Sequence, residues 1–187
     1  MKYLIVGLGN IGEEYKNTRH NIGFKVVEYL AEKENAVFKQ DRLAFVTNIK
    51  YKGRTLVLIK PTTFMNLSGK AVNYWLQKED VDISNMMVVV DDLALPFGTI
   101  RIKQKGSDAG HNGLINIIET INSQDFARMR FGIGKEFSKG EQIDYVLGKW
   151  SQDELDKLDE RIEKMGEAVK SFVTIGIERT MNFFNGK

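Results

Sequence analysis

The chain contains no cysteine in its 187 residues. A disulfide framework, a thiolate metal site and a cysteine nucleophile are therefore all excluded, and the expected compartment is the reducing cytoplasm. Histidine is nearly as scarce, with only His20 and His111. Chemistry that needs a side chain titrating near neutral pH must draw on one of these two. Because they lie far apart in sequence and leave few soft ligands, no metal is expected. Long apolar runs are also missing. No stretch approaches the roughly 18 residues of a membrane span, and the run after Met1 stops at Gly7, too soon for a signal peptide, so no membrane partner is expected. Charge of one sign is not in excess either, since 27 Lys and Arg face 25 Asp and Glu. A nucleic-acid role would need the cations gathered on one face. No repeat, low-complexity segment or linker interrupts the sequence, and its length suits one domain over residues 1–187.

What is present is regular. Tyr3 to Val6 reads as a buried strand of a parallel sheet. Gly7-Leu8-Gly9-Asn10-Ile11-Gly12 then spells GxGxxG, which alone would suggest a dinucleotide-binding oxidoreductase. The next residues are polar, with Glu13 and Glu14 where a pyrophosphate would sit, so the better reading is a turn that brings Asn10 to the strand's carboxyl end. Ile22, Val26, Val27 and Leu30 form a helical stripe to about Glu34, with His20 just before its start. Ala44–Tyr51 and Thr55–Ile59 read as a hairpin across Lys52-Gly53. A loop from Lys60 to Asn66 follows, with Phe64 and Met65 either showing to solvent or covering a core edge, and then a helix from Ser68 to Gln77. Met86 to Val90 reads as a central strand ending in Asp91-Asp92, a pair that suits a magnesium site, a side-chain-capped turn or a partner for an imidazole.

Two further strands alternate. Thr99–Lys105 sets Ile100 and Ile102 against Arg101, Lys103 and Lys105; Arg128–Gly134 sets Arg128 and Arg130 against Met129, Phe131 and Ile133. Their cations form either a solvated sheet face or a phosphate-tracking patch. Between them a mobile glycine-rich loop, Gly106 to Gly113, feeds a helix with Leu114, Ile117, Ile118 and Ile121 on one side. Ser151 and Glu154 fit a capping box that opens a helical region to about Phe184, broken near Gly166 or Gly176. The order predicts an α/β domain with a twisted, mixed but mostly parallel sheet flanked by helices, the C-terminal helices packed alongside.

In open α/β sheets ligands bind beyond the carboxyl ends of the strands. Asn10, Asn66, Asp91 and the pair His111-Asn112 all fall there. His20 suits a general base and Asp91 the carboxylate that orients its ring, although the local context of His20 by itself favours an inert loop residue or helix cap. With no cysteine and no Gly-x-Ser-x-Gly elbow, the nucleophile is water. The amides of Asn10, Asn66 and Asn112 suit an ester or peptide group and its developing oxyanion.

Five motifs occur in order: Tyr15-x-x-Thr18-Arg19-His20-Asn21-x-Gly23, Lys60-Pro61-Thr62-Thr63-Phe64-Met65-Asn66-x-x-Gly69, Asp91-Asp92-Leu93-x-Leu95-Pro96-x-Gly98, Gly110-His111-Asn112-Gly113, and Arg130-x-Gly132-Ile133-Gly134. Together they resemble the bacterial-type peptidyl-tRNA hydrolases from Met1 to about Leu147 and, more loosely, through the last helices. The resemblance implies a monomeric, cofactor-free enzyme that cleaves the ester between a peptide and the 3′ end of tRNA, recycling peptidyl-tRNA from stalled ribosomes. By position, His20 is then the base, Asp91 its acid partner, and Asn10 the residue that separates N-blocked from free aminoacyl groups. Tyr15, Phe64, Met65, Asn66, His111 and Asn112 fall on contacts to the peptide or the CCA end, and Lys103 and Arg130 on contacts to tRNA phosphates. The chain departs from the family at Ser107-Asp108-Ala109, where glycine is commoner, and at Lys135-Glu136-Phe137, which replaces Arg-Pro. A non-catalytic RNA-binding module on the same fold is the alternative.

Overall fold

In the computed structural model, which describes Met1–Lys187, seven strands form one sheet. They are β1 (Lys2–Gly7), β2 (Lys39–Asp41), β3 (Ala44–Tyr51), β4 (Arg54–Pro61), β5 (Met86–Asp92), β6 (Ile100–Lys103) and β7 (Ala127–Gly132), in the spatial order β2-β3-β4-β1-β5-β7-β6. The middle of this order is parallel, β1 pairing with β4 and β5, and β5 with β7. The strands at each side, β2, β3 and β6, pair antiparallel. The near-continuous apolar runs of β1, β4 and β5 explain their central place, because only covered strands can bury both faces.

Alternation along β1 divides the core. Tyr3 and Ile5 face α1 (Ile22–Lys33) and the long α5 (Gln152–Ile175), while Leu4 and Val6 face α2 (Ser68–Lys78) and α3 (Asn112–Ile121). A short α4 (Gln142–Val146) precedes α5, and α6 (Ile177–Phe184) closes the chain. Ser151 and Glu154 form the expected capping box. The helical region breaks at Gly176, whose φ is 89°, and not at Gly166, which stays helical and whose missing side chain lets the Tyr29 ring pack directly on it.

One close approach decides where the site forms. A Cβ on Gly23, in the first turn of α1, would lie 2.4 Å from the Leu8 nitrogen and 2.5 Å from the Val89 oxygen. The start of α1 thus rests on the backbones of β1 and β5 at their carboxyl ends. The residues just before it, His20 and Asn21, are carried over those ends.

Two features differ from the sequence reading. Strand β2 is a three-residue exposed edge, too short to show a period. On β7, Arg128 and Arg130 are buried instead of forming a cationic outer face. The loop after β6 folds over them: Arg128 Nη1 donates to the Gly106 carbonyl at 2.8 Å and Arg130 Nη2 to the Ser107 carbonyl at 2.9 Å. Burial, with Arg130 alongside, pulls the Arg128 pKa down to about 10. Of the five cations, Arg101 and Lys103 on β6 and Lys105 just after it stay exposed.

Candidate active site

The glycine turn after β1 ends in Asn10, which is nine-tenths buried. The Asn21 side chain brackets its backbone, Oδ1 accepting from the Asn10 N–H at 2.8 Å and Nδ2 donating to the Asn10 carbonyl at 2.9 Å. Asn10 Oδ1 accepts in turn from the Met65 N–H at 2.8 Å. Two hydrogen bonds therefore fix the Asn10 backbone and one its carboxamide oxygen, while its NH₂ keeps no protein partner. The GxGxxG run acts as a turn with an amide at its centre.

His20 lies in a single 3-10 turn, Arg19–Asn21, with its Nδ1 2.8 and 2.9 Å from the two oxygens of Asp91 at the end of β5. An ionised carboxylate only accepts, so Nδ1 carries the proton and Nε2 keeps a lone pair. Burial alone would lower the His20 pKa, but the charge and hydrogen bond of Asp91 outweigh it and raise the value above that of a free imidazole. Burial would likewise push Asp91 up. The two imidazoles beside it win and hold it well below the usual carboxylate range.

The second imidazole is His111, whose Nε2 lies 2.9 Å from Asp91 Oδ1, with the two rings 5.0 Å apart at their centroids. Sequence distance therefore misled: the fold brings both histidines to one carboxylate. Two imidazoles and a carboxylate are also a possible metal-binding composition. Here each imidazole–carboxylate contact is a direct hydrogen bond, and His111 Nδ1 accepts from the Gly113 and Leu114 N–H groups at the start of α3. Both nitrogens of His111 are thus committed. His20, Asp91, His111 and Asn112 line one side of a cavity of about 390 Å³; Leu93, Phe137, Ile143 and Val146 give it an apolar wall. A neighbouring cleft of about 570 Å³, between the Pro96 loop and the start of α5, contains none of these polar groups.

Arg19 anchors the base from behind. Its guanidinium lies 4.1 Å from the centre of the Tyr145 ring, and Nη2 is 3.0 Å from Glu154, the capping-box acid. The loop that carries His20 is tied in this way to α4 and α5.

A buried carboxylate holding an imidazole whose second nitrogen makes no protein hydrogen bond, at a cavity also lined by the Asn112 amide, is an arrangement for activating water against an ester or amide carbonyl. The sequence profile of one family, peptidyl-tRNA hydrolase, matches residues 4–187. The chain belongs to the peptidyl-tRNA hydrolase family. Curated relatives of that name include one from Phocaeicola vulgatus, 57% identical over 187 residues and the full length of both chains, and one from Porphyromonas gingivalis, 55% identical over 185 residues, 99% of this chain and 100% of that one. Among solved structures, the peptidyl-tRNA hydrolase of Acinetobacter baumannii superposes with a TM-score of 0.92 at 36% identity, covering 98% of this chain and 94% of that one.

Within this family member the other expected residues are spread unevenly. Asn112 is exposed at the cavity, and Asn66 is exposed next to the Met65 that holds Asn10. Phe64 is 56% exposed and Tyr15 half-buried. Met65 is a correction, because its side chain is 4% exposed and packs in the core; what it offers the site is its backbone N–H. Lys103 stands exposed on β6 and is not among the cavity residues, whereas Arg130 is, with its guanidinium held by the Ser107 carbonyl and, at 3.5 Å, Asp92. The departure at residues 107–109 has a local consequence: Ala109 takes a φ of 52°, and Asp108 steadies the turn by accepting from the Gly110 N–H at 2.8 Å. Sequence reasoning missed Asn21, although it adjoins His20 in the same motif. It also missed the wall residues Phe137, Ile143 and Val146, which show no periodic signal.

Proposed function

We propose that this protein hydrolyses the ester joining a peptide, or any N-blocked aminoacyl group, to the 3′ end of tRNA. The observation that carries the reading is His20 on the edge of the cavity with Nδ1 occupied by Asp91 and Nε2 free. Water bound at Nε2 gives up a proton to the ring as its oxygen attacks the ester carbonyl. The NH₂ groups of Asn10 and Asn112 support the oxyanion, and Asp91 offsets the charge of the imidazolium. Collapse breaks the bond to the ribose oxygen, which takes the proton back from His20, leaving a free peptide and a tRNA hydroxyl. No resident metal or other cofactor enters these steps.

The apolar wall of the cavity suits the side chains of the peptide. Phe64 and Tyr15 offer rings for the bases of the CCA end, Asn66 an amide for the peptide backbone, and exposed Lys103 positive charge for acceptor-stem phosphates, while buried Arg130 braces the loop at Ser107. The enzyme is proposed to act as a monomer in the cytoplasm; no helix is long and apolar enough to cross a membrane. N-acetyl-aminoacyl-tRNA and free aminoacyl-tRNA offered to purified protein test the reading. Release from the blocked substrate with the free one spared is expected; equal release from both, or salt-sensitive tRNA binding without release, overturns it.

A further inference from the structure

We infer that His111 is a positioning residue for the base, its ring joining the N-terminus of α3 to Asp91 and setting the share of the carboxylate that His20 receives. The argument begins with hydrogen-bond inventory. A neutral imidazole has one N–H and one lone pair. The Gly113 and Leu114 N–H groups can only donate, at 3.1 and 3.3 Å, so His111 Nδ1 is the lone pair and caps the helix. The proton is then on Nε2, directed at Asp91 Oδ1 from 2.9 Å. The cap fixes the tautomer, and the tautomer makes His111 a donor to Asp91.

Asp91 Oδ1 therefore serves two rings, His20 at 2.8 Å and His111 at 2.9 Å. A carboxylate that accepts a second N–H holds less of its charge for the first, so His111 moderates the pull of Asp91 on His20. The other charged groups around the two rings are Asp92 of β5, Arg130 of β7 and Lys135 after it, all at the same cavity, with Asp108 in the loop before His111 and Arg19 turned away to Glu154. None of them makes a hydrogen bond to either ring, which leaves His111 as the one second donor on the carboxylate. Asn112 is the first residue of α3, so the same imidazole also frames the amide proposed to meet the substrate.

The kinetic part of this inference rests on His20 being the base; the tautomers do not. Having only two histidines makes the test direct. Nitrogen-15 NMR of the imidazoles in the intact protein is expected to show His111 as the Nε2–H form and His20 as the Nδ1–H form; an Nδ1–H form for His111 overturns the inference. His111→Asn keeps an oxygen to cap α3 but is too short to reach Asp91. Its His20 titration midpoint, and the acid limb of kcat/KM, are expected to move up by about half a pH unit or more with KM little changed. His111→Ala loses both roles and is expected to add a severalfold rise in KM to the same shift. An unmoved His20 midpoint in both variants, whatever their activity, leaves only a structural role and refutes the proposal. Correct tautomers and midpoints in a protein that releases no peptide would instead count against the hydrolase reading alone.

Discussion

Replacing Asp91 by Asn tests the chemistry with almost no change of shape. The Asn oxygen can take the place of Oδ1, where both rings meet, and keep the contact with His111. Its NH₂ then stands where Oδ2 was, 2.9 Å from His20 Nδ1, so two N–H groups oppose each other. His20 escapes by moving its proton to Nε2, which consumes the lone pair that takes a proton from water; a ring that stays in the Nδ1–H form loses the counter-charge for its imidazolium. The first route removes general-base catalysis and the second weakens it, against a full worth of about 10²- to 10⁴-fold. Stability should change far less. One hydrogen bond worth about 1–1.5 kcal/mol is lost, while relief from burying a charge acts in the opposite direction. For a chain of this length that net change corresponds to a melting shift of roughly 4 °C or less. Peptide release from N-acetyl-aminoacyl-tRNA, measured beside a thermal melt, separates the two effects. Activity within about threefold of the parent, with the fold intact, would refute the role given to Asp91.

Because His20 is raised above the usual imidazole value of about 6.5, kcat/KM should rise with pH through a midpoint above that value. Its stabilising contact with Asp91 has the opposite dependence, fully present below about pH 6.5 and lost as pH rises through the folded-state value; an acid limb centred below about 6.5 contradicts both. Asn21→Ala leaves the Asn10 backbone N–H and carbonyl without partners and should cost about 1–3 kcal/mol. It should also cut kcat/KM about tenfold, and a double variant with Asn10→Ala should be no slower than Asn10→Ala alone, a coupling that a double-mutant cycle reads directly. Gly23→Ala drives a methyl group into the backbones of β1 and β5 and should cost about 3 kcal/mol, seen as a melting point lower by roughly 6–12 °C.

The central strands were legible because β1 and β5 are runs of apolar residues with one structural solution, and the capping box at Ser151 because its chemistry is local. The strand-end address of Asn10, Asp91 and Asn112 followed from the α/β order alone. The fate of Arg128 and Arg130 did not. Alternation told which face they share but not that the Gly106–Gly110 loop would fold back and give them carbonyls. Whether Met65 is exposed or covers the core stayed open for the same reason, since a loop's burial depends on what packs over it. The most consequential silence concerned His111, which lies 91 residues from His20 in sequence and shares a carboxylate with it in space. No periodicity carries that information; it arises from α1 resting on Gly23 and from the helix start at Asn112. The motif resemblance placed both histidines in the site without saying that one would serve the other.

The most direct test of the central claim is single-turnover release of peptide from peptidyl-tRNA by the parent and by His20→Ala, at a pH above the acid limb and with equal tRNA binding verified. The account predicts rapid release by the parent and a loss of about 10²-fold or more in the variant. Comparable release by both would contradict it.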